Sequence, residues 1–152
     1  MTDGGIEARL EQLGIVLPAG SAPAASYTNY VISNGLLFVS GKGPHGKPRG
    51  KLGQAFTTQE GYQFARQTGL EVLAVLKMGL GHLDHVKRVV KIQAYVNADP
   101  SFEEHHLVLN GFSDLMLDLF GEQGQHARSV MGASSLRDNL PIIVDSIFEV
   151  VQ

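Results

Sequence analysis

Apolar and small residues repeat with helical spacing between Thr58 and Leu80, where Tyr62, Ala65, Gly69, Val72, Leu73, Leu76 and Leu80 share one face and Arg66, Glu71 and Lys77 fall elsewhere. The pattern predicts a long helix covering a sheet, ended by Gly79 and Gly81. From Val86 to Val96 the period changes to two, with Val90, Ile92, Ala94 and Val96 alternating against Lys91, Gln93 and Tyr95, as in a half-buried central strand. Helical spacing resumes from Phe102 to Phe120 through Val108, Phe112, Leu115 and Leu119, and Gly121 closes it. A short amphipathic helix is expected from Ile6 to Leu13. Asn34-Gly35 divides two β-favouring runs, Tyr27–Ser33 and Leu36–Ser40, and is the strongest two-residue hairpin signal, because both positions of a type I′ turn need positive φ. Ala127–Gly132 and Ile142–Val151 read as strands, residues 18–26 as a linking arm, and the Gly- and Pro-rich stretch Gly41–Gly53 as a loop.

The order is helix, two strands, long helix, strand, helix, two strands. It implies one α+β domain over residues 1–152, with residues 1–26 as an N-terminal helix and arm and the helices on one face of a mixed sheet. The other face must be polar or covered by another copy, so self-association is expected.

Composition narrows the functions. Lys and Arg total 12 against 15 Asp and Glu, a net charge of −3, which gives no broad cationic field and disfavours nucleic acid as a partner. No cysteine is present, which removes disulfides, thiolate metal sites and a thiol nucleophile. No stretch has the length and apolarity of a signal peptide or membrane span, so the expected location is cytoplasmic, with no membrane partner.

The run from Tyr27 through Ser40-Gly41-Lys42-Gly43-Pro44 resembles the opening strands of the Rid (YjgF) family, whose pattern runs from a tyrosine to Ser-Gly-x-x-Pro. Ala65-Arg66-Gln67, Val89–Asn97, the segment starting Asn110-Gly111-Phe112, Phe120-Gly121-Glu122 and His126-Ala127-Arg128-Ser129 are similar to the same family in order and spacing. The resemblance implies a chorismate-mutase-like fold, a homotrimer whose sheets form a central barrel, and ligand clefts between subunits. It also implies hydrolysis of small enamines and imines to 2-keto acids and ammonia, without a cofactor.

By the same resemblance Arg128 holds the substrate carboxylate, and its planar guanidinium suits that task, giving two parallel charge-assisted hydrogen bonds. Tyr27, Ser40, Gly41 and Asn110 are the other expected contacts, and Val130 offers its backbone carbonyl. The family's deaminases usually carry a cysteine two residues after the arginine and a glutamate fifteen after it, whereas Val130 and Ile143 stand here. Asp145, on the same strand face as Ile143, is the nearest replacement acid, although two residues of strand displace a side chain by roughly 6 to 7 Å. Two readings therefore stay open: a deaminase-like hydrolase using Arg128 and Asp145, and a non-catalytic trimeric module that binds a small carboxylate or a partner. Endoribonuclease activity, attributed to some relatives, is disfavoured by charge. His82, His85, His105 and His106 lack a completing acidic set and are expected to be solvent-facing polar residues rather than metal ligands.

Overall fold

The computed structural model describes residues 5–151; Asp3 and the rest of residues 1–4 lie outside the described residues, as does residue 152. Three helices and five strands follow in the expected order: α1 (Gly5–Gln12), β1 (Tyr30–Ser33), β2 (Leu36–Lys42), α2 (Thr58–Leu80), β3 (Val86–Asn97), α3 (His105–Phe120), β4 (Ala127–Ala133) and β5 (Ile142–Val150). The sheet order is β1-β2-β5-β3-β4, with β3 and β4 parallel and the other neighbours antiparallel, a mixed α+β architecture. No helix among the described residues is long and apolar enough to cross a membrane.

Asn34 and Gly35 both take positive φ, 51° and 77°, and join β1 to β2 as a two-residue hairpin. The strand begins at Tyr30 rather than at Tyr27, which sits in the preceding bend. Helix α3 likewise starts at His105 and not at Phe102, three residues inside the expected range, because the Asp99-Pro100 turn is held by Asp99, whose carboxylate accepts from Ser101. Thr57 and Glu60 form a reciprocal capping box at the start of α2, and Gly81 ends it in the left-handed conformation.

The core lies between the sheet and the pair α2/α3, where Leu37, Ile92, Ala94, Val144 and Phe148 meet Val72, Leu73, Leu76, Phe112 and Leu115. Strand β5 alternates without a break: Ile142, Val144, Ser146, Phe148 and Val150 are buried, while Ile143, Asp145, Ile147 and Glu149 are partly exposed. Two expectations fail here. Register irregularities in β3 bring Val89 inside in place of Val90. Glu71, placed off the apolar face of α2, is 3% exposed. The outer face carries Phe38, Tyr95, Met131, Ile143 and Ile147, and no helix among the described residues covers it.

Candidate functional site

Arg128 is the second residue of β4, a sheet-edge strand, and pairs in register with buried Ile92. It therefore stands on the helix side of the sheet, facing α3. One terminal nitrogen donates to Ser113 Oγ at 3.0 Å and the other to the His106 carbonyl at 3.0 Å. A guanidinium has five donors, so others remain for a ligand. Burial lowers the Arg128 pKa and nearby Asp114 raises it, but a guanidinium in a protein stays protonated.

A histidine fixes the other end of this contact. His126 Nδ1 lies 2.6 Å from the Gly124 carbonyl and its Nε2 lies 2.9 Å from Ser113 Oγ. A carbonyl can only accept, so Nδ1 carries the proton. In the neutral ring Nε2 then accepts from the Ser113 hydroxyl, whose oxygen accepts from Arg128. His106, Asn110 and Ser113 follow at spacings of four and three on α3 and so share a helix face. Asn110 thus stands between the two residues that touch Arg128, and Val130, two along β4, shares the strand face of Arg128. His105 packs where a side chain at Gly132 would be, and against Phe102. The expectation that the histidines are solvent-facing polar residues misses His105, and it missed His126 as a partner altogether.

The second set of expected residues lies elsewhere. Ser40 Oγ donates to the Thr28 carbonyl at 2.5 Å and its backbone N–H to Asn29, anchoring the chain just after Tyr27. At Ser40-Gly41 the pairing with β5 slips by one residue, since Val39 faces Ser146 but Lys42 faces Val144. A Cβ on Gly41 would come within 2.9 Å of the Ile143 side chain, so only glycine lets the bulge lie on Ile143 without displacing it. Asp145 pairs with Gln93 on the same outer face. Burial raises its pKa, while its own backbone N–H and Lys91 pull it down.

The structure therefore forms two separate groups. Arg128 and Val130 share the helix side of β4, and Asn110 lies on the α3 face that carries the two partners of Arg128; Ser40, Gly41, Ile143 and Asp145 lie on the uncovered face. Arg128 and Asp145 are on opposite faces of the sheet, with β3 between their strands, and cannot contact one small molecule within a single chain. Tyr27 faces a third location, a cavity behind β2 lined also by Lys42 and Glu71. No group of three or more His, Cys, Asp or Glu side chains with metal-binding geometry occurs among the described residues.

A mixed sheet with its helices on one side, an arginine at the edge strand and a glycine bulge on the bare side defines a small α+β protein of the chorismate-mutase-like class. The chain belongs to the YjgF family: residues 7–148 match the family described as "YjgF/chorismate mutase-like, putative endoribonuclease". It is 44% identical to Protein TCP17 of Trypanosoma cruzi, over 98% of this chain and 96% of that protein. Among crystal structures it is similar to Atu1372 of Agrobacterium tumefaciens, a protein of unknown function (37% identity, TM-score 0.88, covering 96% of this chain and 92% of that one). A Shewanella oneidensis protein, named an endoribonuclease in the family's qualified wording, is 33% identical with a TM-score of 0.93, covering 97% of this chain and all of the other. A Yersinia pestis member of the Rid family shares the fold at 19% identity and a TM-score of 0.60, covering 87% of this chain and 94% of its own.

Proposed function

We propose that this protein binds a small 2-imino or 2-keto carboxylate on Arg128, in a cleft completed by a neighbouring subunit of a homotrimer, and hydrolyses the imine there. The observation that carries the reading is Arg128 itself. It is held on α3 by two hydrogen bonds, is partly exposed, and has no carboxylate within ion-pair distance among the described residues. A fixed, charged fork with donors to spare is built to take a carboxylate from outside the chain. In the reaction, water adds to C2 of the imine and the C–N bond then breaks, leaving a 2-keto acid and ammonia; enamines enter after tautomerising to the imine. Ser40, Gly41, Asn110 and Tyr27 are proposed contacts, the Val130 carbonyl an acceptor for the nitrogen or water, and Asp145 of the adjoining subunit the acid–base group. Its raised pKa suits a carboxyl group that must hold a proton before giving it up.

The second reading is a non-catalytic trimer that keeps the carboxylate clamp. It is favoured by Ile143, an apolar side chain against the Gly41 bulge where the family's deaminases carry glutamate.

The test assays wild type, Ile143→Glu and Asp145→Ala, each verified as a trimer, on imines generated in situ. Turnover in wild type that is lost in Asp145→Ala supports the hydrolase. An inactive wild type that gains activity in Ile143→Glu supports the binding module. Crystals soaked in 2-oxobutanoate should show the ligand carboxylate on Arg128, and ligand bound elsewhere would overturn both readings.

A further inference from the structure

Ser113 is a hydroxyl on the buried side of α3, 7% exposed. A hydroxyl inside a helix can satisfy itself by donating to the carbonyl four residues back, as Thr68 does on α2, where its Oγ1 donates to the Phe64 carbonyl at 2.8 Å. Ser113 is turned away from its own helix instead, toward His126 and Arg128.

The histidine decides how that hydroxyl is spent. With Nδ1 donating to the Gly124 carbonyl, Nε2 of the neutral ring is an acceptor and takes the one proton Ser113 Oγ has. A lone pair is thereby left for the guanidinium. Arg128 donates to Ser113, Ser113 to His126 and His126 to Gly124, three bonds running in one direction. Their far end is fixed, because Gly124 is buried against α3, where a Cβ would strike the Met116 carbonyl. The other tether of Arg128 is the His106 carbonyl. A planar group held by one bond turns about it, whereas two bonds from different nitrogens set its plane. Asp114, whose charge acts on Arg128, accepts from Tyr62 at 2.7 Å and so is held toward α2.

We propose that His126 is a positioning residue for the carboxylate clamp: acting through Ser113, it fixes the plane of the Arg128 guanidinium before a ligand arrives, so that binding does not have to order that side chain. His126 touches no ligand itself. The inference rests on Arg128 as the clamp, but the relay exists without ligand and its first test needs none.

That test is 15N NMR of the intact protein. His126 should carry its proton on Nδ1, and the two terminal nitrogens of Arg128 should give separate signals, since hydrogen bonds at both stop the group from turning. In Ser113→Ala and in His126→Phe the exchange between those signals should quicken. A proton on His126 Nε2, or Arg128 exchange unchanged in His126→Phe, would overturn the relay. If His126→Phe does not fold, Ser113→Ala decides, since it must alter both the Arg128 exchange and the His126 Nε2 signal. Calorimetry with 2-oxobutanoate reads the consequence. Each single variant should bind about three- to tenfold more weakly than wild type, the cost of ordering one long side chain on binding. The double variant should bind no more weakly than Ser113→Ala alone, because residues acting through one hydroxyl do not add. Additive losses would give His126 an effect of its own and overturn the relay. Affinity lost in Arg128→Ala but unchanged in His126→Phe removes the relay and leaves the clamp. A wild type that does not bind 2-oxobutanoate, or an Arg128→Ala that binds it as well, removes the clamp and with it this role, whatever the spectra show.

Discussion

Arg128 is tied to its surroundings by bonds to a hydroxyl and a backbone carbonyl, neither of which neutralises it. Arg128→Ala should leave the chain folded, since its two bonds are partly exposed and Ser113 keeps its bond to His126, but weaken 2-oxobutanoate by about 1.5 to 3 kcal/mol, the range for a charge-assisted contact. Arg128→Lys should recover only part of the affinity, since an ammonium cannot reproduce the fork. Urea denaturation and calorimetry on the same samples separate folding from binding, and equal affinity in all three proteins would remove the clamp. Asp145 gives a prediction in pH. Its folded pKa is raised, chiefly by burial, so between the unfolded and folded values the native state binds more protons than the unfolded one and stability falls as pH rises. Asp145→Asn should consequently be more stable than wild type above that window, with the advantage vanishing as the pH drops below the ordinary aspartate range. Parallel stability curves across pH would show that the carboxyl is not desolvated in the assembled protein.

At the scale of elements, local sequence determined most of the boundaries. The α2 range follows directly from apolar spacing, the capping box and the closing glycine, and Thr57→Ala should cost about 1 kcal/mol in thermal or urea unfolding. A variant as stable as wild type would mean that tertiary packing alone holds that end. What could not be read was the phase of a strand that contains irregularities. Strict alternation places Val90 inside, and the slips in β3 turn Val89 inward instead. Glu71 was misplaced for a related reason: helical spacing assigns a face but not the width of the buried arc, and α2 is covered by the arm and loop as well as by the sheet. The signal was present, since Glu71 is the lone charge in the run from Gly69 to Leu76. The site was legible as residue types and spacing, above all Arg128 and Ser40-Gly41. It was not legible as a grouping, because which strand faces touch depends on sheet order, and no residue of β3, β4 or β5 encodes that β3 lies between the other two. Ser113 and His126 carry no such signal: the first is a lone hydroxyl on the buried face of α3, and the second a half-buried histidine on a short loop with no periodic signature.

For the whole molecule, the two separated residue groups and the bare sheet face point to the same assembly. Val31, Phe38 and Met131 are 55%, 40% and 45% exposed on that face, beside partly buried Tyr95, Ile143 and Ile147. Such an apolar surface is what a subunit interface covers. Sedimentation at micromolar concentration should give a trimer, and Ile147→Lys, which puts a charge at the centre of the face while leaving the helix side untouched, should give a folded monomer. A monomeric wild type would end both the interface and the cleft built on it. The proposed cleft has a stricter test, because a cyclic trimer would join unlike edges, so that each site would take its arginine from one subunit and its serine–glycine bulge from the next. Arg128→Ala and Ser40→Trp, the latter blocking the cleft from the other side, should each bind no 2-oxobutanoate. Unfolded together, refolded and reassembled at equal amounts, they should recover about a quarter of the wild-type sites, the fraction of interfaces in which chance places an intact arginine against an intact serine. Recovery near that fraction would locate the cleft between subunits. No recovery from correctly assembled mixed trimers would place both residues' effects within one chain, contrary to the opposite sheet faces on which they stand.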